Sequence, residues 1–359
     1  MTRRPPRARA YLDHMPRYAA GSSAVRADGA PGHKLSSNES PYPLPESMVT
    51  AMAAAAVGAN RYPGDGRELA RRLAEKHSVP PDTVAVAGGS LELLRDLLTA
   101  YAGHDSEVVF GWRSYEAYPI LVQSLGARSV RVPLRDERLD LTALAAAIHA
   151  RTRVVLLANP NNPSGTVVAA DALGNFAKAV PDECLLILDE AYSEYADPEL
   201  GGQGIALARS QPNIVVMRTF SKAYALAGMR IGWCVADPEV VETVAQVALP
   251  FTLTTVAQAA AVAALDQEEL LAGQVRATVA ERERVRTNLV AAGFTVPVSG
   301  ANFLWLPLGA RSQGFAEECR TAGISVRCFP GDGVRVTIGT SFENDGFLEF
   351  ANSYLGAGG

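Results

Sequence analysis

Short apolar runs alternate with amphipathic stretches over the first two thirds of the chain. Strand-like runs are VAVA (84–87), EVVF (107–110), SVRVPL (129–134), RVVLLAN (153–159), CLLILDE (184–190), NIVVMRTF (213–220) and IGWCVA (231–236). Helical patterns lie between most of them, and two more, PESMVTAMAAAA and RELARRLAEKH, come before the first. Continuously apolar strands are typical of a sheet that is covered on both faces. The pattern therefore predicts an α/β fold with a mostly parallel, doubly wound sheet.

The pattern changes near residue 252. Two helical runs cover 253–292, and four strand-like stretches follow, namely FTVPVS (294–299), NFLWLPL (302–308), ISVRCF (324–329) and GVRVTIGT (333–340). Helical patterns also cover 312–322 and 343–355. The N-terminal residues are rich in Arg, Pro, Gly and Ala and predict an irregular segment through residue 34. We expect an arm over 1–37, a large domain over 38–251 and a smaller α/β domain over 252–359.

Composition excludes several classes of protein. The chain has 359 residues and a net charge of -5, which argues against a general nucleic-acid binder. Its four cysteines form no CxxC motif, so we expect free thiols, no metal site and a reducing, cytoplasmic compartment. No run approaches the about 20 apolar residues of a membrane span, and the N-terminus lacks the apolar stretch of a signal peptide.

Polar residues follow the apolar strands at several points. Gly88-Gly89-Ser90 follows VAVA, Asn162 lies just beyond RVVLLAN, Asp189 ends the next strand, and Ser221-Lys222 follows NIVVMRTF. Ligands of doubly wound folds bind beyond the carboxyl ends of the strands. We therefore expect these groups to meet at one edge of the sheet.

The Gly-Gly-Ser stretch offers backbone N–H groups, a hydroxyl and the positive end of a helix dipole, which together suit a phosphate. Taken alone it does not differ from ordinary helix capping. The nucleotide-binding patterns GxxxxGK[ST] and GxGxxG after the first strand are both absent.

Lys222 carries the most information. A lysine at the buried end of a parallel strand loses hydration, which favours its neutral, nucleophilic amine. The alternative is a lysine whose amine reaches solvent. Ser221 and Arg230 nearby suit a phosphate, and Asp189 supplies a carboxylate at a neighbouring strand end. A phosphate site, an amine that can accept an aldehyde and a carboxylate are together what pyridoxal 5'-phosphate requires of a protein.

At this point the motifs match a family. From about residue 18 to 350 the chain resembles the pyridoxal-phosphate-dependent aminotransferases of fold type I, in the branch that holds histidinol-phosphate aminotransferase. The matching stretches are SSNESPY (36–42), NRYPGDG (60–66), NPNNPSG (159–165), DEAYSEY (189–195), TFSKAYALAGMRIG (219–232) and GVRVTIGT (333–340). The stretches EVVFGWRSYEAYP, PFTLTTVAQAAA and ANFLWLPLG look most like actinobacterial aromatic-amino-acid (phenylalanine) aminotransferases.

The resemblance implies roles around the cofactor ring. Lys222 would bind the cofactor aldehyde and act as acid and base. Asp189 would pair with the ring nitrogen, and Asn162 and Tyr192 would hydrogen-bond the ring oxygen. Tyr115 would stack on the ring, with core packing as the alternative.

The resemblance also implies a phosphate site and a homodimer. Ser90, Ser221 and Arg230 would bind the phosphate, with backbone help from Leu91. Tyr62 would reach the phosphate from the other subunit, so that a monomer would have an incomplete site. The alternative for Tyr62 is a surface aromatic in a turn.

The resemblance also implies contacts with the substrate. Arg335 would bind the α-carboxylate, because its guanidinium fork suits a carboxylate and an unpartnered arginine is a poor core residue. Arg327 would lie near the distal end of the substrate, unless a salt bridge within the small domain occupies it. Tyr18 and Asn38 would line the same entrance. The stretch from Pro250 to Thr254, which includes Phe251, replaces a Pro-Tyr-Asn-Val-Asn stretch that histidinol-phosphate enzymes often have. The loss of the amides and the apolar ring of Phe251 favour a less polar side-chain pocket.

We therefore expect ping-pong transamination of phenylalanine, tyrosine or tryptophan with a 2-oxo acid such as 2-oxoglutarate. Histidinol phosphate is the nearest alternative donor. A decarboxylase or C–S lyase on the same fold shares the carbanionic chemistry, and a regulatory module that binds the cofactor without turnover is the alternative from another class. Leu91 in place of the usual acidic residue, and Asp65 shifted by one position, depart from the family pattern.

Overall fold

A computed structural model of the chain describes residues 32–198 and 203–357, together with positions 6, 9, 12, 15–18 and 21. Most of the predicted N-terminal arm therefore lies outside the described residues. Within the described part, no helix combines the length and the apolar character that crossing a bilayer requires.

A seven-stranded sheet forms the centre of the large domain. Its strands are β2 (Val84–Ala87), β3 (Glu107–Trp112), β4 (Arg128–Pro133), β5 (Thr152–Ala158), β6 (Leu185–Asp189), β7 (Ile214–Thr219) and β8 (Gly232–Val235). They are ordered β2-β8-β7-β6-β5-β3-β4. The pairs from β7 through β4 are parallel, and β8 is antiparallel to both of its neighbours. The prediction of a mostly parallel α/β sheet is confirmed.

Helices cover both faces of this sheet. They are α1 (Glu46–Ala56), α2 (Arg67–His77), α3 (Ser90–Tyr101), α4 (Ala117–Ser124), α5 (Leu141–Ala146), α6 (Ala170–Ala179), α7 (Gly204–Ser210), α8 (Pro238–Val247) and α9 (Thr255–Leu265). The start of α8 follows from its sequence, because Asp237 caps the Glu239 N–H and Pro238 occupies the first turn.

The apolar strands supply two cores at once. In β5, Val155 and Leu157 face one buried cluster, while Val154 and Leu156 face the other. Each side chain points to the opposite face from its neighbour, so a strand buried on both sides must be apolar throughout. This is the physical origin of the continuous runs seen in the sequence.

A four-stranded sheet organises the small domain. It contains β1 (His33–Leu35), β9 (Phe303–Leu306), β10 (Ile324–Phe329) and β11 (Gly333–Thr337), in the order β1-β10-β11-β9. Its helices are α10 (Glu268–Ala291), α11 (Ser312–Thr321) and α12 (Ser341–Ala357).

Two predictions about this region are wrong. The irregular arm was expected to continue through residue 34, but β1 pairs in parallel with β10 of the small sheet. The stretch 294–299 is not a strand. Phe294 and Val296 of this stretch are buried in the core of the small domain, as an alternating pattern predicts. The stretch does not pair as a strand, since Pro297 has no N–H to donate to a ladder.

The small-domain core gives a test of the packing. Phe315 is fully buried and contacts the rings of four aromatic neighbours, Phe294, Phe347, Phe350 and Tyr354. We expect Phe315→Ala to lower the free energy of unfolding by about 3–5 kcal/mol, measured by urea denaturation. The control is Phe342→Ala, since Phe342 is 71% exposed; it should cost about 0.5 kcal/mol or less. Equal costs would contradict this view of the core.

Candidate active site

A cavity lies at the carboxyl ends of β5, β6 and β7, between the two domains. Both sheets and the segment after β1 contribute to its lining. It brings together all the residues predicted from the sequence except two, namely Tyr18, Asn38, Ser90, Leu91, Tyr115, Asn162, Asp189, Tyr192, Ser221, Lys222, Arg230, Arg327 and Arg335. The convergence at one sheet edge follows from the parallel strands, whose carboxyl ends point the same way.

Lys222 lies three residues beyond the end of β7. Its Nζ donates to the backbone oxygens of Asn38 at 3.0 Å and Ser37 at 3.4 Å. Burial lowers the pKa of the Lys222 amine to about 7, and the positive charge of Arg335 acts in the same direction. A substantial fraction of the amine is therefore neutral near pH 7 and can act as a nucleophile or base.

Asp189 ends β6 and has defined partners. The Tyr118 hydroxyl donates to its Oδ2 at 2.7 Å, and the Ala191 N–H donates to its Oδ1 at 3.2 Å. Burial raises the pKa of this carboxyl, while both hydrogen bonds act against that rise. Such a buried carboxylate is suited to a cationic N–H partner.

Tyr192 and Asn38 form a hydrogen-bonded pair beside the lysine. Asn38 Nδ2 donates to the Tyr192 hydroxyl oxygen at 3.0 Å, and Thr337 Oγ1 donates to Asn38 Oδ1 at 2.9 Å. Burial raises the pKa of the Tyr192 hydroxyl, which stays protonated. Because Thr337 belongs to β11, this series of hydrogen bonds links the surroundings of Lys222 to the small domain.

An anion cradle forms where α3 begins. Ser90 is the first residue of α3, and Gly89 before it has φ 112, a value that disfavours any residue with a Cβ. A Cβ at Gly89 would come within 2.7 Å of Arg230 Nη2. Arg230 Nη1 also donates to Ser221 Oγ at 3.3 Å. The backbone N–H groups of α3, two hydroxyls and one guanidinium thus face one small volume, which suits a phosphate.

Arg335 reaches the cavity from β11 and is only 8% exposed. Its Nη1 donates to Asn162 Oδ1 at 2.7 Å and its Nη2 donates to the Ser36 carbonyl at 2.9 Å. Both partners are neutral, so the buried positive charge lacks an anion among the hydrogen-bond partners of the described residues. A carboxylate ligand would supply that charge.

Arg327 also lines the cavity, and its ion pair is with the large domain. Its Nε and Nη2 donate to Glu116 Oε2 at 3.1 Å and 2.6 Å. These atoms therefore do not form the salt bridge within the small domain that the sequence left open as the alternative. The Tyr18 ring lies 5.9 Å from the guanidinium carbon and packs edge-on against Tyr115.

Tyr62 and Phe251 do not line the cavity of their own chain. They stack on each other at the surface, with ring centroids 4.5 Å apart and with 82% and 55% of each residue exposed. The expectation that Phe251 shapes the side-chain pocket therefore does not hold within one chain. Phe251 has φ 64 in the turn after α8, and this turn directs it toward Tyr62 instead.

Several residues of the site were missed by sequence reasoning. Tyr118 holds Asp189, Thr337 holds Asn38, and Glu116 pairs with Arg327. Tyr118 had a signal, since it follows Tyr115 by three residues and lies on the same side of a helical turn. The other two contacts join distant segments and have no local pattern.

The architecture is that of an α/β enzyme with its cavity between two domains, and comparison with known proteins identifies its family. Residues 31–350 match the family described as aminotransferase class I and II. An aromatic amino acid aminotransferase of Thermobifida fusca is 49% identical over 354 residues, which cover 98% of each chain. A protein of the same name from Streptomyces coelicolor is 44% identical over 99% of each chain. The chain belongs to the class I and II aminotransferases.

Solved structures agree on the fold. A histidinol-phosphate aminotransferase of Sinorhizobium meliloti, in complex with pyridoxal-5'-phosphate, superposes with a TM-score of 0.88 at 26% identity, over 98% of each chain. A mutant aspartate aminotransferase of Thermus thermophilus gives 0.80 at 25% identity, over 96% of this chain and 98% of that one. The chain has the fold type I architecture.

The lowered pKa of Lys222 leads to a titration experiment. We expect the cofactor-free protein, incubated with pyridoxal phosphate and borohydride, to be modified at Lys222 with a half-maximal rate near pH 7, because the neutral amine reacts. Arg335→Met removes a positive charge that lowers this pKa, so the midpoint should move to higher pH. Peptide mass spectrometry measures the modification, and Lys222→Ala is the blank. A midpoint near the ordinary value of lysine would contradict the analysis.

Proposed function

We propose that this protein is a pyridoxal-phosphate-dependent transaminase of aromatic amino acids, which passes the amino group to a 2-oxo acid such as 2-oxoglutarate. One observation carries the proposal, namely Lys222 beside the buried carboxyl of Asp189, the anion cradle and Arg335 in a single cavity. The names of its relatives support the aromatic substrate class.

The residues present fit the cofactor. The cradle of Ser90, Ser221 and Arg230 matches its phosphate, and the close approach of Gly232 to the Ser90 N–H, where a Cβ would come within 2.1 Å, keeps that amide positioned. Asp189 would hold the ring nitrogen and Lys222 would bind the aldehyde. Because Asn162 accepts from Arg335 through its oxygen, its amide N–H groups are the ones that would reach the ring oxygen, together with Tyr192.

Bound pyridoxal phosphate supplies the electron sink that stabilises negative charge at the Cα of the amino acid. The side chains of the protein supply the orientation of the substrate and the proton transfer. Arg335 binds the α-carboxylate and fixes the orientation of the Cα–H bond. Lys222, as a neutral amine, would take up the proton from Cα and, as the ammonium, would give it back to the carbon on the other side of the substrate nitrogen.

The distal part of the cavity favours an aromatic side chain. Tyr18 lies beside Arg327 and forms an edge-to-face pair with Tyr115, with ring centroids 6.4 Å apart. A third ring would continue this packing. Histidinol phosphate is the second candidate donor, because its phosphate would compete with Glu116 for Arg327, which lines the cavity together with Arg335.

We further propose a homodimer with shared sites. Tyr62 and Phe251 form an exposed aromatic stack, and Val57 and Leu249 in the same segments are 85% and 57% exposed. Exposed apolar clusters of this kind mark protein interfaces. The four cysteines are free thiols, which supports a reducing compartment, and we place the protein in the cytoplasm.

A half-reaction tests the proposed activity. We expect the visible absorption band of the cofactor-loaded protein to convert to that of the amino form of the cofactor at least about tenfold faster, relative to donor concentration, with phenylalanine or tyrosine than with histidinol phosphate. Stopped-flow absorbance measures the rate, and Lys222→Ala is the blank. Conversion by histidinol phosphate alone would overturn the aromatic assignment, and conversion by no donor would overturn the transaminase assignment.

Co-expression of two inactive variants tests the shared site. Tyr62→Ala and Lys222→Ala should each lose most activity. A hybrid dimer, purified with two affinity tags, would contain one intact site if Tyr62 acts in the partner's cavity, and should recover about half of the wild-type activity. If Tyr62 acts within its own chain, neither site of the hybrid is intact. Absence of recovery in a purified hybrid would therefore refute sharing.

A further inference from the structure

The cavity holds two arginines on adjacent strands. Arg327 of β10 and Arg335 of β11 are direct cross-strand partners in an antiparallel pair, so their side chains leave the same face of the small sheet. Both line the cavity. Like charges placed opposite each other on a sheet are destabilising, and both guanidinium groups are largely withdrawn from water. These two neighbouring guanidinium groups call for two anions.

Arg335 and Arg327 differ in whether an anionic group of the protein pairs with them. Arg335 bonds only neutral oxygens, those of Asn162 and Ser36, among its described hydrogen bonds. Arg327 already has an anion, because Glu116 accepts from both Nε and Nη2. The side chains of Arg327 and Glu116 are 11% and 28% exposed, so solvent screens this ion pair only weakly. Arg335 is therefore available to an anionic group of a ligand, whereas Arg327 is already paired with Glu116.

This distribution of charge matters for which ligands fit. An aromatic amino acid has one carboxylate, which Arg335 would take, and an uncharged ring. Without Glu116, that ring would be placed beside an unneutralised guanidinium. A dicarboxylic or phosphorylated substrate has a second anionic group, which must compete with Glu116 for Arg327. Tyr18 and Phe329, with rings 5.9 Å and 5.8 Å from the Arg327 guanidinium carbon, complete an apolar surrounding for the neutralised pair.

We propose that Glu116 is a specificity-determining residue, an internal counterion that neutralises Arg327. A ligand with an anionic distal group, including a dicarboxylic 2-oxo acid acceptor, must displace Glu116 to reach Arg327, whereas a ligand with an uncharged distal group binds beside the neutralised pair. The assignment of substrates rests on the proposed transaminase function, but the competition for Arg327 is itself a property of binding. Glu116 immediately precedes α4 of the large domain and Arg327 belongs to the small sheet, so the pair also spans the two domains.

A neighbouring ion pair supplies a matched control. Arg113 of the large domain pairs with Asp332, which lies in the turn between β10 and β11. This pair spans the same two domains, but neither residue lines the cavity. Breaking it also removes a charged contact between the domains, and it leaves the charge of Arg327 neutralised. Any effect of Glu116 that arises only from domain contact should therefore be reproduced by Asp332→Asn.

The test compares two unreactive acids that bind the cofactor-loaded protein. Glutarate has a carboxylate at each end, and 3-phenylpropanoate has one carboxylate and a ring. We expect Glu116→Gln to tighten glutarate binding about tenfold, because the competing charge is removed, and to change 3-phenylpropanoate binding by less than about threefold. Isothermal titration calorimetry measures both affinities. Glu116→Ala is the second variant if the glutamine protein does not fold, with the same expected direction for the ratio of the two affinities.

A double-mutant cycle makes the assignment specific. In an Arg327→Met background, Glu116→Gln should no longer change glutarate affinity, because the cation for which the two anions compete is gone. The proposal is overturned if Glu116→Gln leaves the ratio of the two affinities unchanged, if Asp332→Asn shifts that ratio equally, or if the effect persists without Arg327. These outcomes need no turnover, so they are distinguishable from failure of the transaminase assignment, which the phenylalanine half-reaction decides.

Discussion

The withdrawal of the Lys222 amine from water is the constraint on which the rest of the site depends. Burial without a hydrogen-bonded carboxylate leaves the lysine with backbone carbonyls as its partners and brings its pKa to about 7. The strand that carries it must be apolar on both faces, which requires helices on both sides of the sheet. The segment after β1 and the small domain then close the cavity, since Asn38 and Arg335 both reach the lysine environment from there.

Charge in the cavity is balanced by elements from both domains. The large domain supplies Asp189 and the anion cradle, and the small sheet supplies two guanidinium groups on adjacent strands. Glu116 neutralises one of them, and the other is open to a carboxylate. Ligand recognition and the contact between domains therefore depend partly on the same ion pair, because Glu116 and Arg327 come from opposite sides of the cavity.

Much of the fold and of the candidate site could be predicted from the sequence. Parallel strands that are buried on both faces require apolar residues at nearly every position, so β5, β6 and β7 could be recognised in the sequence as continuous apolar runs. The residues at their carboxyl ends, among them Lys222 and Asp189, follow because parallel strands bring those ends together. Short elements at the edges of the sheets were harder to recognise in the sequence. Three residues of β1 carry no periodic signal, and 294–299 alternates like a strand while Pro297 prevents a ladder.

By itself the sequence determined the fold class, the strand-end polar groups and the resemblance to an aminotransferase family, because each is expressed in local patterns of apolar and polar residues. Only the tertiary structure decided which side chains share hydrogen bonds. The contacts of Tyr118 with Asp189, of Glu116 with Arg327 and the stack of Phe251 on Tyr62 join segments far apart in the chain. Such contacts depend on the relative placement of whole elements, which no local pattern records.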